Sequence, residues 1–128
     1  MSFSIDLDRY NSFVEAKAVK NMRSIVAVSL QGIMSRNPVD TGRSRANWRV
    51  QAGKPDLETD DNVDAAATLN RGLGVAKALE LRDKNIYISN NLPYAMRLEY
   101  GWSGQAPQGM VRVTAVEVLS LIAAGRLG

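Results

Sequence analysis

The sequence predicts an α+β fold for a single domain that spans residues 1–128. Three observations support it: a long helical pattern at the start, a turn followed by an alternating strand near Trp48, and a second β-rich segment between further helical patterns. With 45% hydrophobic residues and a net charge of +3, the chain has the composition of an ordinary globular domain rather than a disordered one.

The first predicted element is a helix from about Asp8 to Arg36, with Asp6 or Asp8 as its candidate N-cap. Apolar residues recur in it at three- and four-residue steps: Phe13, Val14, Ala18, Met22, Ile25, Val26, Leu30 and Ile33. Such a helix would be roughly 40 Å long, at a rise of 1.5 Å per residue. A small domain cannot cover this length by itself. Either one end is exposed, or the helix also packs against neighbouring subunits.

A chain reversal and a strand are predicted between Asn37 and Val50. Asn37-Pro38 ends the helix, because the residue before a proline avoids the α region. Gly42 can take the positive φ that a tight turn requires. In the alternating pattern that follows, the packed face holds Ser44, Ala46, Trp48 and Val50, with Trp48 as its largest anchor. The opposite, polar face holds Arg43, Arg45, Asn47 and Arg49, and its three arginines are called the basic strand face.

An acidic segment, residues 53–64, follows this strand. Its acidic residues are Asp56, Glu58, Asp60, Asp61 and Asp64, and Lys54 is its one basic residue. The simpler interpretation is a solvated polar loop in which Asp61 or Asn62 caps the next helix. The alternative is head-to-tail pairing of the acidic segment with the basic strand face of the next copy in a ring. The segment lacks the spacing of an EF-hand calcium loop.

The second half of the chain is predicted to hold three helices and one strand. A helix covers about Asn62 to Leu81, and Gly72 and Gly74 weaken its middle enough to suggest a bend or two shorter pieces. The others are a strand at Ile86–Ser89, a short helix at Tyr94–Tyr100 ended by Gly101, and a helix at about Gln108–Ala124 ended by Gly125. The loop before the last helix is rich in turn residues and contains Trp102 and Gln105.

The composition excludes several kinds of chemistry. The chain contains no cysteine and no histidine, which removes Cys/His zinc sites, cysteine nucleophiles and Ser-His-Asp triads. Arg97 and Glu99 on the short helix have the character of a surface or interface ion pair rather than an acid–base site. We therefore predict no enzymatic activity and no cofactor or metal. The N-terminus is not a signal peptide, and no apolar stretch reaches the length of a membrane span.

Two passages resemble a known family of viral proteins. They are PVDTGRSRANW, residues 38–48, and IYISNNLPYAMRLEYGWSGQAPQGMVR, residues 86–112. Together they are similar to the tail-completion, neck or minor tail component proteins of long-tailed bacteriophages. That family typically shows a P-x-D-T-G-x-L-R turn and strand, then an N-x-x-x-Y-A segment, an E-Y/F-G turn and a proline-containing loop. Ser44 stands where the family commonly has leucine.

The resemblance implies a tail-terminator-like fold: a long N-terminal helix packed on a small, mostly antiparallel sheet with additional helices. It also implies a structural virion protein that forms a homo-oligomeric ring at the head–tail junction, with a hexamer favoured. Such a ring completes the tail, joins the tail tube to the head–tail connector and lets DNA pass. Localisation would be the neck of the virion, after assembly in the host cytoplasm, with no membrane partner. The predicted interface residues are Arg43, Arg45, Arg49, Asp56, Glu58, Asp60, Asp61, Arg97, Glu99, Trp102 and Gln105.

Two other functions compete with this one. A small nucleic-acid-binding protein could use the basic strand face to follow phosphates, although the net charge is low and no known nucleic-acid-binding motif is present. An enzyme with a carboxylate-only site ranks last.

Overall fold

In the computed structural model, the described part of the chain forms four helices and a two-stranded sheet. The structure describes residues 7–38, 42–93, 95–101 and 108–126, with side chains described from residue 11 onward. The elements are α1 (Leu7–Arg36), a 3₁₀ turn (Arg45–Asn47), β1 (Arg49–Ala52), α2 (Ala65–Ala78), β2 (Ile86–Ser89), α3 (Ala95–Glu99) and α4 (Val111–Ala123). The predicted α+β class, with its long N-terminal helix and small antiparallel sheet, is confirmed.

The sheet is formed by the strands on either side of α2. β1 and β2 pair antiparallel in a register that sets Arg49 opposite Ser89 and Ala52 opposite Ile86. A sheet of two strands cannot be stable alone in water, so it must pack on other elements. Here Val50 is part of the hydrophobic core, Ile86 and Ile88 pack against that core, and β1 contacts α2.

The core lies between the second half of α1, α2 and the sheet. Its buried residues are Val26, Leu30, Ile33, Met34, Trp48, Val50, Ala76, Leu79 and Met110. Gly72 brings α2 close to α1, because a Cβ at this position would collide with the Leu30 side chain. Gly72, which suggested a bend in the predicted helix, is therefore needed for the close packing of α2 on α1.

The predicted strand around Trp48 is partly wrong. Residues 43–47 form a turn and a 3₁₀ helix instead, in which Ala46 N–H donates to Gly42 O (3.1 Å) and Asn47 N–H to Ser44 O (3.2 Å). Burial of the packed face, Trp48 included, is confirmed. The assignment of Asn47 to the polar face is wrong, because Asn47 is fully buried (0% exposed). Its side chain makes hydrogen bonds, such as the one from Nδ2 to Arg43 O, in place of those that a strand would make.

The turn that leads into this region has the backbone predicted for it. Gly42 has φ +74°, the positive value predicted for this tight turn. A β-carbon there would also sit 3.4 Å from the backbone oxygen of Val63, so the turn packs against the end of the acidic segment. Asp40 and Thr41 lie outside the described residues.

α2 differs from its prediction at its start and in its middle. The cap is Asp64, whose carboxylate accepts from Ala67 N–H (3.1 Å), and neither Asp61 nor Asn62 takes this role. Asn62 instead connects the residues before α2 to its first turn. Its Oδ1 accepts from Asp64 N–H (2.9 Å), and its Nδ2 donates to Thr68 Oγ1 (3.2 Å). The helix continues through both glycines as one piece.

The remaining elements follow their predictions closely. β2 has the predicted bounds, and Gly101 and Gly125 end α3 and α4 with positive φ values of 87° and 69°. The candidate caps Asp6 and Asp8 and the loop residues Trp102 and Gln105 lie outside the described residues or side chains. Within the described ranges, no helix is both long and apolar enough to cross a membrane.

Candidate interaction surfaces

The N-terminal half of α1 extends beyond the core. Residues 11–18 are all exposed, and two of them are large apolar side chains: Phe13 is 65% exposed and Val14 is 44% exposed. Burial begins only near Met22, which packs against the core. An exposed end of the long helix is thus observed, and packing of that end on a neighbouring subunit stays a prediction.

The basic strand face does not form a continuous surface. Arg49 is held by a salt bridge to Asp60 (2.8 Å between Nη2 and Oδ2), and its side chain is only 11% exposed. Arg43 donates from Nε to the Asp60 carbonyl (3.0 Å) and lies 3.4 Å from the Asp61 carboxylate. Arg45 is half-buried, and among the described residues its Nε has no hydrogen-bond partner.

Asp60 is the centre of this polar cluster. Its backbone forms a reciprocal pair with the buried Asn47 side chain, with distances of 2.9 and 3.1 Å. The pKa of the Asp60 carboxyl lies below its ordinary value, first because Asn62 N–H donates to it and then because the Arg49 guanidinium is adjacent. Asp60 is therefore ionised at neutral pH and holds the acidic segment against residues 43–49.

The two charged segments meet within one chain. For Arg43, Arg49, Asp60 and Asp61, the contact that the sequence suggested across a subunit boundary is formed inside the subunit. Asp56 and Glu58, also in the acidic segment, take no part in these contacts with the arginines. Asp56 Oδ1 accepts from Glu58 N–H (2.9 Å), and its backbone carbonyl accepts from Ser89 Oγ (2.9 Å). Glu58 itself is exposed.

Glu99 has a structural role that its pairing with Arg97 did not suggest. Its carboxylate accepts from the backbone N–H groups of Met110, Val111 and Arg112 at 2.8 to 3.0 Å, and so caps the N-terminus of α4. Arg112 returns its side chain to the same carboxylate (3.0 Å) and stacks 5.0 Å from the Tyr100 ring centre. Gly109 leaves the room for this contact, because a Cβ there would meet the Glu99 backbone and carboxylate.

The environment of Glu99 favours its ionised form. Burial raises the pKa of the carboxyl, but the hydrogen bonds from the α4 N-terminus and from Arg112 outweigh burial, so the pKa of Glu99 lies below its ordinary 4.5. The positive end of the helix dipole adds to this preference. The cap therefore joins the end of α3 to the start of α4.

An apolar groove separates α1 from β2. It has a volume of about 570 Å³, and its apolar walls are formed by Met22 and Ile25 of α1 and by Ile86 and Ile88 of β2. Lys84 is the one charged side chain among its lining residues. This groove could not be predicted from the sequence, because periodicity shows which residues are apolar but not whether neighbouring elements meet without a gap.

α4 has a second apolar face that points away from the core. Thr114 and Val118 are buried against the chain, whereas Val116 is 67% exposed and Leu119 is 65% exposed. The overlapping apolar faces of residues 108–124 were a sequence signal for this outer surface. We call the exposed apolar residues Val111, Ala115, Val116, Leu119 and Ile122 the α4 stripe.

Nothing in the described part of the chain has the make-up of a metal site, since no group of three or more acidic, histidine or cysteine side chains could hold an ion there. No protein-family model, no curated protein and no solved structure matches this chain.

Proposed function

We propose that this chain is a structural subunit of a ring at the head–tail junction of a long-tailed bacteriophage, where it completes the tail and joins it to the head connector. The resemblance of residues 38–48 and 86–112 to neck and tail-completion proteins supplies the identity of the assembly. Tail tube and connector proteins are the proposed partners, and DNA passes through the ring without being a specific ligand.

One structural observation carries the assembly part of the proposal. Large apolar side chains are exposed on the first half of α1 and on the outer face of α4, and also at scattered positions such as Leu57 and Met96. Contiguous exposed apolar surface on a small protein marks an interaction site. Two separate surfaces on one subunit suit the heterologous contacts from which rings are built.

The nucleic-acid alternative loses support from the positions of the arginines. Arg43 and Arg49 already neutralise acidic groups of their own chain. Phosphate binding would have to displace Asp60 and Asp61 from them. Retention of DNA by the isolated protein, weakening steeply with salt, would nevertheless favour this alternative.

The decisive test is the mass of the assembled species. We expect sedimentation and electron microscopy to show closed rings, either of the chain alone at high concentration or after addition of tail tube and connector proteins. A DNA-retention assay at low salt serves as the parallel control and should show no binding. A chain that stays monomeric under all these conditions, or that binds DNA in a salt-dependent manner, would overturn the proposal.

A further inference from the structure

The exposed half of α1 has one face that is both apolar and basic. Phe13, Lys17 and Lys20 follow one another at steps of four and three residues, so they share one side of the helix. All three side chains are exposed, and neither lysine forms an ion pair within the described residues. Glu15 is the one acidic residue in residues 11–36, and at two residues from Phe13 it points away from this side. We call Phe13, Lys17 and Lys20 the α1 face.

The outer part of the acidic segment has the opposite character. Residues 54–58 line a hollow of about 430 Å³, which we call the acidic hollow. Leu57 is 64% exposed there and stands between Asp56 and Glu58. The Glu58 N–H donates to Asp56 Oδ1 (2.9 Å), which holds the two acids close together. Neither carboxylate forms an ion pair with any described residue.

These two surfaces complement each other in apolar area and in charge. Each sets one large apolar side chain, 65% exposed for Phe13 and 64% for Leu57, beside two like charges. The charges are positive on the α1 face and negative in the acidic hollow, and opposite charges bring two surfaces together and discriminate against wrong partners. Lys54 is the one basic side chain among residues 54–58, and its long stem lets the ammonium remain in water.

The inner part of the acidic segment is already occupied within the subunit. Asp60 and Asp61 meet arginines of their own chain, so the head-to-tail pairing predicted from the sequence does not have these acids available. Asp56 and Glu58 remain for a partner outside the subunit. The lysines of α1 then take the place that the sequence assigned to the arginines.

We infer that the α1 face of one copy docks on the acidic hollow of the next copy. The contact is heterologous, because a helix face meets a different surface, and it leaves each copy with one free helix face and one free hollow until a ring closes. Nucleic acid is the competing occupant of the α1 face, but it would leave Leu57 and the two carboxylates without a role. As the subunit contact of a neck ring the inference rests on the proposed function, whereas the contact itself is tested on the purified chain.

Reversing the charge of one surface and then of the other tests the contact. Under conditions in which the wild-type chain assembles, Lys17→Glu/Lys20→Glu should weaken association at least about tenfold in sedimentation, because like charges then face each other. Glu58→Lys should weaken association in the same direction. The variant with all three changes should recover most of the loss, because the charges are again opposite. Circular dichroism should show every variant folded, since all three side chains are exposed.

Lys77→Glu/Lys84→Glu is the matched control. It replaces two exposed lysines and changes the net charge by the same amount outside both surfaces, so it should leave association unchanged. Raising the salt concentration should shrink the effect of Lys17→Glu/Lys20→Glu, because exposed charges are screened.

A second measurement addresses the apolar part of the contact. Phe13→Ser and Leu57→Ser should each weaken association. Together they should weaken it by less than the product of their separate fold-changes, because substitutions of residues in contact are not independent. Independent effects would show that Phe13 and Leu57 do not meet, which overturns the contact.

The other outcomes separate the contact from the neck function. A loss that the third change does not recover, an equal loss in the control, or a wild-type chain that never self-associates would overturn the contact. DNA retention that disappears with the two lysines while association is unchanged would assign the α1 face to nucleic acid instead. Rings that form equally well from Lys17→Glu/Lys20→Glu would leave the neck function standing and remove the contact. Recovery by the triple variant of a chain that binds no tail tube or connector protein would support the contact and overturn the neck function.

Discussion

At the scale of single residues, Asn37 organises the reversal between α1 and the sheet. It is buried, and its Oδ1 accepts from Trp48 Nε1 (2.8 Å) while its Nδ2 donates to Pro38 O (2.8 Å) and to Ser44 Oγ (3.2 Å). When a buried polar group loses its hydrogen-bond partner, the free energy of unfolding falls. The tryptophan therefore contributes both packing and a hydrogen bond.

Two substitutions at Trp48 separate these contributions. Trp48→Phe keeps most of the packing but removes one of the two donors to Asn37 Oδ1 and leaves only Ser44 Oγ (3.3 Å). We therefore expect a loss of about 1 kcal/mol in the free energy of unfolding. Trp48→Ala removes the packing as well and should cost about 3–5 kcal/mol. Urea unfolding measures both values. Equal losses for the two variants would show that the hydrogen bond alone matters.

The Glu99 cap predicts a specific acid sensitivity. Because the folded-state pKa is lowered, the cap contributes its full stability above the unfolded pKa of about 4.5 and loses it as the pH falls through the lower folded value. Glu99→Gln should lower stability at pH 7 by about 1–2 kcal/mol. The difference between wild type and variant should shrink as the pH falls below 4.5.

Unfolding curves at pH 7 and at successively lower pH give this difference directly. Glu58→Gln is the matched control, since Glu58 is an exposed glutamate that caps no helix, and it should change stability little at either end of the range. A Glu99→Gln difference that stays constant with pH would show that the carboxylate is not ionised in the folded state.

At the scale of elements, α2 contains two glycines with opposite roles. Gly72 faces Leu30 without room for a Cβ, whereas nothing lies within 4 Å of a Cβ added at Gly74. The sequence could not distinguish them, because both break the same helical pattern and only the approach of α1 decides which one is needed.

This pair makes a matched prediction. Gly72→Ala should destabilise the fold by about 1–3 kcal/mol through overpacking against Leu30. Gly74→Ala should stabilise it by about 0.5–1 kcal/mol, because alanine is the better helix former at an open position. Thermal unfolding of the two variants measures both signs. If Gly72→Ala were as stable as Gly74→Ala, α1 and α2 would not pack as closely as described.

The region around Trp48 shows why some elements could be predicted and others not. The burial of Trp48 and the positive φ of Gly42 follow from local rules, one on apolar alternation and one on turn geometry. The 3₁₀ turn does not, because it depends on Asn47 reaching across to Asp60, 13 residues further along the chain. The charge cluster escaped prediction for the same reason: sequence shows the signs of the charges but not which of them meet within one subunit.

At the scale of the whole molecule, the charge cluster around Asp60 makes charge reversal of its arginines a poor test of contacts between subunits. Reversing Arg49 to glutamate would place a second carboxylate beside Asp60 in a half-buried site, and so would destabilise the fold before any subunit contact is examined. Exposed apolar side chains lie outside this cluster, on the first half of α1 and on the α4 stripe.

The first half of α1 gives the last prediction. Its residues 11–18 are all exposed, so a chain that lacks residues 1–16 should keep its fold and lose less than about 1 kcal/mol of unfolding free energy. Its assembly should weaken, because Phe13 and Val14 are removed from the surface. The variant Phe13→Ser/Val14→Ser should weaken assembly in the same direction without shortening the helix, which separates lost apolar contact from lost length.

Sedimentation with circular dichroism measures assembly and fold together. Unfolding of the shortened chain would mean that the exposed half supports the core, whereas undiminished assembly would show that Phe13 and Val14 make no subunit contact.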